Sequence, residues 1–517
     1  MKALSAASMR LLDSRTIAET GVPGVALMRR AGQLAASAIL EYIHALAGNG
    51  VPVRNILFLA GKGNNGGDAF VAAKTLFETG EFSIFLHCMT REESLSQDAF
   101  AVFGELPEEL KQRIKYSLTE EDLSRPGTLI VDGLLGTGFR GELKGDYGKW
   151  IFLANASGHH IVSLDIPSGM EADTGKCGAH AIEADLTLTM ANPKKGMLSP
   201  EGALLCGRIQ VLDIGIPGTF ADEIADFEEC TVLSDVKKSF PKEKANIHKY
   251  ERGHVLVLGG SCLYSGAPLL AGEAAARTGA GLVSIAVPGG TLLEGRMIPR
   301  ALMIRKTGGK GFFSASCWEE IGTLAEKADV IVVGPGMGTN GESIPFLRNV
   351  LRSGKRVLAD ADALNLLAGN PELFRERACE ELVLTPHEGE MRRLEKALSL
   401  DSALPREERA RRLAAKVRAF VILKGVRTIV CTPEGKTAVN LSGSPALATA
   451  GSGDVLAGIC GALLLKKDPE PFTALRAAVF VHGLAGELAD PSGSRGVLAD
   501  DLLERIAPAM RKISPRA

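Results

Sequence analysis

The sequence predicts an α/β protein built from two parallel-sheet domains. Short β-rich runs alternate with longer helical patterns, the mark of a parallel sheet covered by helices. The same grammar occurs twice, with a lapse at residues 216–253, where the chain is charged and weakly periodic. Glycine is abundant at 59 residues and aromatics are sparse at 5%, which suits sheets whose strands end in glycine loops. The 517 residues leave room for about three average domains or two large α/β units.

In the first half, strands are expected at "NILFLAG", "FSIFLHC", "TLIVDG", "HIVSLDIP", "DLTLTM" and "RIQVLDIG". "GVALMRRAGQLAASAILEYIHALA" and "GDAFVAAKTLFETG" carry helical periodicity. The segment 216–253 reads as a linker and the entry to a second domain, which gives domains 1–222 and 223–517. Strands resume at "HVLVLGG", "LVSIAVP", "DVIVVGPG", "RVLADAD", "ELVLTPH" and "FVILKG". "RTIVCTPEGKTAVN" reads as a hairpin around Pro-Glu-Gly, hence an antiparallel edge.

Net charge is −2, so nothing electrostatic favours nucleic acid or an anionic membrane as partner. No stretch reaches the roughly 18 apolar residues of a membrane span. The nine cysteines are scattered and none forms C-x-x-C, so zinc and thiol–disulfide chemistry lack support. They are expected to be buried free thiols in a reducing cytosol, and the protein to be cytoplasmic.

"GKGNNGGDAF", residues 61–70, spells G-x-G-x-x-G after an expected strand. Such a turn frees backbone N–H groups at a helix N-terminus, where anions bind. A redox dinucleotide fits it poorly. Asp68, expected in the first helical turn, would repel a docked pyrophosphate, and the second strand ends "HCMTREE" without a clear acid for a ribose. Asn64 and Asn65 add amide groups. "VDGLLGTGFRG" then supplies Asp132, Gly136, Thr137 and Gly138, and "LDIPSG" supplies Asp165 and Ser168. Singly, each Asp is more simply a cap or turn residue. Three such loops at strand ends can converge on one cleft, and together they favour a site.

In this order the three motifs resemble the YjeF N-terminal family, the NAD(P)H-hydrate epimerases, over residues 1–220. The resemblance implies a Rossmann-like three-layer domain whose substrate is hydrated NADH or NADPH, with R and S epimers interconverted at C6 of the nicotinamide ring. It implies a potassium ion held by Asn65, Asp132 and Ser168. Substrate contacts would come from Asn64, Asn65, Gly66, Gly67, Asp68, Gly136, Thr137, Gly138, Phe139, Arg140, Gly141, Glu142 and Asp165, with Asp165 as acid/base. One departure is "LMRRAG", where Arg29 stands in place of the family's usual acid.

"LATAGSGDVLAGICGALL", residues 447–464, is the strongest single motif. Gly451 to Gly453 at a helix N-terminus can stabilise a phosphoryl group in transfer, and Asp454 can take a proton from an attacking hydroxyl. No Walker G-x-x-x-x-G-K-[ST] is present. Other strand ends supply Gly336, Asp360, Asp362, His387, Glu388, Glu390, Lys424 and Arg427. With "GGSCLYSGAP", "VGPGMG", "DADALN", "TPHEGEM" and "LKGVRT", this set resembles the YjeF C-terminal family of NAD(P)H-hydrate dehydratases over residues 240–510.

That resemblance implies a ribokinase-like three-layer domain in which ADP with Mg2+ phosphorylates the hydrate hydroxyl, and loss of phosphate restores the ring. Lys424, Gly425, Val426, Arg427, Thr428 and Gly453 would hold the nucleotide. Ala267, Gly336, His387 and Asp454 would face the hydrate, with Asp454 as base. Tyr250 departs from the family's "HKGxxG" entry. Together the halves imply a bifunctional repair enzyme acting on NADH and NADPH hydrates with ADP, and a homo-oligomer. A vitamin or sugar kinase with a non-catalytic N-terminal binding domain is the alternative.

Overall fold

The structure is a computed structural model that describes residues 1–240, 246–293, 298–465, 468–491, 493 and 496–514. The chain divides into two compact units, Met1–Cys230 and Thr231–Asp490, the second completed by the helix Ala499–Ile513.

The first unit contains strands β1 (Lys2–Leu4), β2 (Asn55–Ala60), β3 (Ser83–Cys88), β4 (Thr128–Gly133), β5 (His160–Leu164), β6 (Leu186–Met190), β7 (Arg208–Leu212) and β8 (Phe227–Thr231). Six of them form one parallel sheet in the order β3-β2-β4-β5-β6-β7. Ile56, Phe58 and Ala60 pack in one core with the helices Gly24–Gly48 and Asn64–Thr79, whereas Leu57 and Leu59 join Trp150 and Ile151 on the other face. Both faces of β2 are thus covered, which is why it reads as an unbroken apolar run. Truncating the fully buried Phe58 to Ala would cost about 3–5 kcal/mol. After β2 the chain moves to β3 on one side and then to β4 on the other. That reversal opens a crevice at the carboxyl ends of β2 and β4, where open α/β sheets bind ligands.

The second unit contains β9 (His254–Leu258), β10 (Leu282–Val287), β11 (Met303–Lys306), β12 (Val330–Val333), β13 (Arg356–Ala359), β14 (Glu381–Leu384), β15 (Phe420–Leu423), β16 (Ile429–Cys431) and β17 (Thr437–Asn440). Their order is β11-β10-β9-β12-β13-β14-β15-β16-β17, parallel as far as β15. The expected hairpin is the antiparallel pair β16–β17, with Val430 opposite Ala438. The helices Ala267–Thr278, Ser452–Leu463, Pro471–Ala489 and Ala499–Ile513 share one core with the strand residues Val255, Val257 and Val332.

Four expectations need correction. Residues 216–253 are not a bare linker, because they hold the helices Gly218–Asp222 and Leu233–Ser239 and strand β8. Residues 241–245 of that segment lie outside the described residues. β8 pairs antiparallel with β1, Lys2 opposite Glu229, so the compact units divide after Cys230 rather than after residue 222. The helix Pro471–Ala489 is long and apolar enough to cross a membrane by length and composition, yet 72% of its apolar 18-residue window is buried inside the structure. All nine cysteines are free, but Cys177 and Cys262 are exposed.

Candidate active sites

A cavity of about 500 Å³ lies in the first unit, lined by Asn64, Asn65, Asp68, Gly136, Thr137, Gly138, Phe139 and Asp165 among others. The helix Asn64–Thr79 starts after Gly63 with no side-chain cap, so first-turn N–H groups remain available to an anion. Glycine is required behind this turn, since a Cβ on Gly66 would stand 2.0 Å from the Gly61 carbonyl oxygen. Asp68 does not sit in the first turn as expected; the turn has no acid, and Asp68 is buried one turn later. Burial, then the nearby Asp165 and Asp13, push its carboxyl well above the usual range.

Beneath the cavity, Asp132 is fully buried. Its carboxylate accepts from Ser163 Oγ at 2.8 Å, Ser168 N at 2.9 Å, Ser168 Oγ at 2.5 Å and Leu134 N at 3.2 Å. Asn65 Nδ2 donates to Leu135 O at 2.8 Å, and Leu135 N donates to Ser168 Oγ at 2.8 Å. The buried Asn65 Oδ1 has no hydrogen-bond partner. An orphaned amide oxygen beside a buried carboxylate and a hydroxyl is an all-oxygen donor set suited to a hard monovalent cation, and it would relieve the cost of leaving that oxygen unpaired. Asn65, Asp132 and Ser168 therefore fit a potassium ion.

Two side chains absent from the expected site dominate its chemistry. Lys194, on the segment after β6, is fully buried. Its Nζ donates to Asp165 Oδ1, to Thr189 Oγ1 at 2.8 Å and to Met190 O at 3.2 Å. Asp13, from the helix Ala6–Thr20, faces the same cavity. Its carboxyl is pushed up to about 6 by burial and by Asp165, with Lys194 opposing. Asp165 (φ 62°) and Ala191 (φ 59°) both adopt left-handed backbone, a strain of about 1–3 kcal/mol each at neighbouring strand ends. Sequence pattern could not single out Lys194, since its neighbour Lys195 instead pairs with the exposed Asp226.

Not every expected residue reaches the cavity. Arg140, Gly141 and Glu142 are exposed and do not line it. Arg140 Nη2 donates to Asp173 at 2.6 Å, and Gly141 N donates to Glu171 at 3.1 Å. Gly66 and Gly67 are buried behind the loop. Arg29 pairs with Glu105 at 2.6 Å and does not line the cavity.

In the second unit, Lys424 Nζ donates to the buried Asp360 Oδ1 at 2.7 Å and lies 3.9 Å from Glu390 Oε2. Thr385 Oγ1 donates to the same Asp360 oxygen at 2.7 Å. Lys424 Nζ also stands 3.4 Å from where a Cβ on Gly453 would be, at the start of the helix Ser452–Leu463. Asp454, next in that turn, is pushed up to about 7 by burial and by Asp360, with Lys424 opposing. Glu390 is likewise pushed up to about 7, chiefly by burial. One lysine therefore serves three carboxyl groups, and two of them hold or release a proton near neutrality.

His387 caps the helix Glu388–Leu398, its Nδ1 accepting from Gly389 N at 2.9 Å. Burial, Lys424 and Arg393 lower its pKa, so the ring is neutral and its proton is assigned to Nε2. Gly336 and Ala267 lie side by side, since a Cβ on Gly336 would stand 3.1 Å from Ala267 Cβ. Gly425, Val426 and Thr428 form the turn between β15 and β16, with Val426 57% exposed. Arg427 differs from its neighbours: its guanidinium is buried and Nη1 donates to Leu441 O at 3.2 Å. Tyr250 is exposed, in edge contact with His248.

The family described as NAD(P)H-hydrate dehydratase matches residues 255–508, and the YjeF-related protein N-terminus family matches residues 24–196. A bifunctional NAD(P)H-hydrate repair enzyme Nnr of Moorella thermoacetica is 34% identical over 524 residues, covering 99% of this chain and 97% of the relative. The protein of the same name from Coxiella burnetii is 32% identical, covering 95% and 96%. A solved ADP/ATP-dependent NAD(P)H-hydrate dehydratase from Bacillus subtilis, co-crystallized with ATP and Mg2+, is 25% identical over 56% of this chain and 100% of its own, with a TM-score of 0.46.

Proposed function

This chain belongs to the family of bifunctional NAD(P)H-hydrate repair enzymes, and from that premise we propose how its residues divide the work. The protein is an epimerase and a dehydratase in one chain. The first unit interconverts the R and S hydrates of NADH and NADPH, and the second dehydrates the S form.

For epimerisation, the Asp165–Lys194 pair carries the reading. Opening the bond between C6 and its hydroxyl needs a proton on the leaving oxygen. Re-addition to the other face returns that proton. Asp165, with Lys194 on one oxygen and the Met190 N–H on the same oxygen at 3.2 Å, is the candidate acid/base. Asp13, at about 6, can hold a second proton in the same cavity. Asn65, Asp132 and Ser168 would hold the potassium ion, whose charge would offset that of Asp132 and of an anionic group docked at the helix start.

For dehydration, ADP enters with its Mg2+ as substrate. Lys424 and the N–H groups around Gly453 bind the transferring phosphoryl group. The hydrate hydroxyl attacks the terminal phosphorus, Asp454 takes its proton, and AMP leaves. Loss of the phosphate, with a proton from the adjacent ring carbon, restores NADH or NADPH. His387, neutral with its proton on Nε2, faces the hydrate as a donor. The vitamin or sugar kinase reading is not favoured. The test is to give the protein pure S hydrate with ADP or ATP in turn and follow the absorbance of regenerated NADH. Faster recovery with ADP is expected; recovery with neither nucleotide would sink the dehydratase assignment.

A further inference from the structure

Behind the turn Lys424–Thr428 stands a side chain that the reaction scheme leaves out. Arg406 opens the helix Arg406–Val417, and its guanidinium lies inside the turn. Nη1 donates to Val426 O at 2.7 Å and Arg427 O at 3.3 Å. Nη2 donates to Leu423 O at 3.4 Å and Lys424 O at 3.2 Å, and Nε donates to Glu388 Oε1 at 2.9 Å. An arginine has five N–H donors in a fixed planar fork, and here each has its own acceptor.

The turn needs such a partner. Gly425 has φ 145° and Arg427 has φ 56°, so the backbone curls and its carbonyls gather on one side. Four carbonyl dipoles pointing inward would repel one another without a cation among them. Held this way, the turn keeps one fixed backbone, which an anion-binding concavity of backbone N–H groups requires. The guanidinium fills the space: a Cβ on Gly425 would stand 2.8 Å from Arg406 Nη2. Arg406 is itself fixed from behind, because Glu388 Oε2 accepts from Arg409 Nη1 at 3.0 Å. Arg409 in turn makes a buried two-pronged pair with Glu395 at 2.7 and 3.0 Å.

We propose that Arg406 is the positioning residue of the nucleotide site, a five-donor template that shapes the turn Lys424–Thr428 for the phosphates of ADP without touching them. This rests on the reading of that turn as the nucleotide site. Lysine cannot replace it, since an ammonium has three donors and no planar fork.

The test compares wild type with Arg406→Lys and Arg406→Ala in the full chain. Nucleotide KM, kcat and hydrate KM are measured on S hydrate, with ADP binding followed by calorimetry. Both variants should raise the nucleotide KM and Kd about tenfold or more, the loss of one or two charge-assisted hydrogen bonds. kcat at saturating nucleotide and hydrate KM should stay within about threefold, because Asp454 and His387 are untouched. Millimolar guanidinium should lower the nucleotide KM of Arg406→Ala and leave Arg406→Lys unchanged, a rescue that general loosening would not give. Wild-type nucleotide affinity in Arg406→Lys, or a loss confined to kcat, would overturn the proposal while leaving the dehydratase reading intact. If wild type itself bound no nucleotide, the reading of the turn would fall and the proposal with it.

Discussion

Replacing Asp454 by Asn tests the dehydratase chemistry through both rate and stability. The carboxyl is raised from its ordinary 3.8 to about 7, first by burial and then by Asp360. The unfolded chain ionises it near the ordinary value, so the folded unit resists a charge that the unfolded chain accepts. The sign follows: the stability associated with this group is fully present below about 3.8, and it is lost as pH rises through about 7. At about 1.36 kcal/mol per unit, the penalty at about pH 8 is on the order of 4 kcal/mol. Asn keeps the shape without the charge. Asp454→Asn should therefore melt several degrees higher than wild type at about pH 8, with the difference shrinking toward zero near pH 4. The same change removes the base that takes the hydroxyl proton, so dehydration should fall about 10²–10⁴-fold. Wild-type dehydration should itself fall about tenfold per pH unit below about 7. The assays are NADH recovery from S hydrate and a pH series of thermal melts, with R/S exchange as internal control. An Asn variant within threefold of wild-type dehydration, or one no more stable at about pH 8, would refute the assignment.

Three further outcomes follow from the first unit. Asp165→Asn and Lys194→Met should each cut R/S exchange by about 100-fold or more while S-hydrate dehydration continues. Lys194→Met should also destabilise by about 3–5 kcal/mol, because Asp165 is left without its partner, and paired thermal melts check this. Potassium should raise the melting temperature of wild type in a saturable way, and Asn65→Ala should raise the potassium concentration for half effect at least tenfold. An equal response to sodium and potassium in both proteins would contradict the cation site.

Strand positions were legible because parallel strands buried on both faces read as apolar runs, as β2 and β4 do. The short edge strands β1 and β11 were not, since three or four residues carry no periodicity and β11 is mostly exposed. At the sites, glycine turns and the polar residues beside them were legible because backbone geometry demands them. Lys194 and Asp13 were not: they reach the cavity from a segment after β6 and from the N-terminal helix, and only the fold brings them to Asp165. Arg406 lies in a run of arginines, "REERARR", whose members look alike until one meets four carbonyls. Arg427 follows an expected strand and by resemblance would hold the nucleotide, and its left-handed backbone accompanies a guanidinium buried toward Leu441.

The central claim is that one chain recovers both epimers by two separate sites. Pure R hydrate, given to the full-length protein with ADP, Mg2+ and potassium, tests it most directly, with NADH followed by absorbance. Complete recovery is predicted, abolished by Asp454→Asn and slowed to the spontaneous exchange rate by Asp165→Asn. Recovery of R hydrate at an undiminished rate in Asp165→Asn would contradict it.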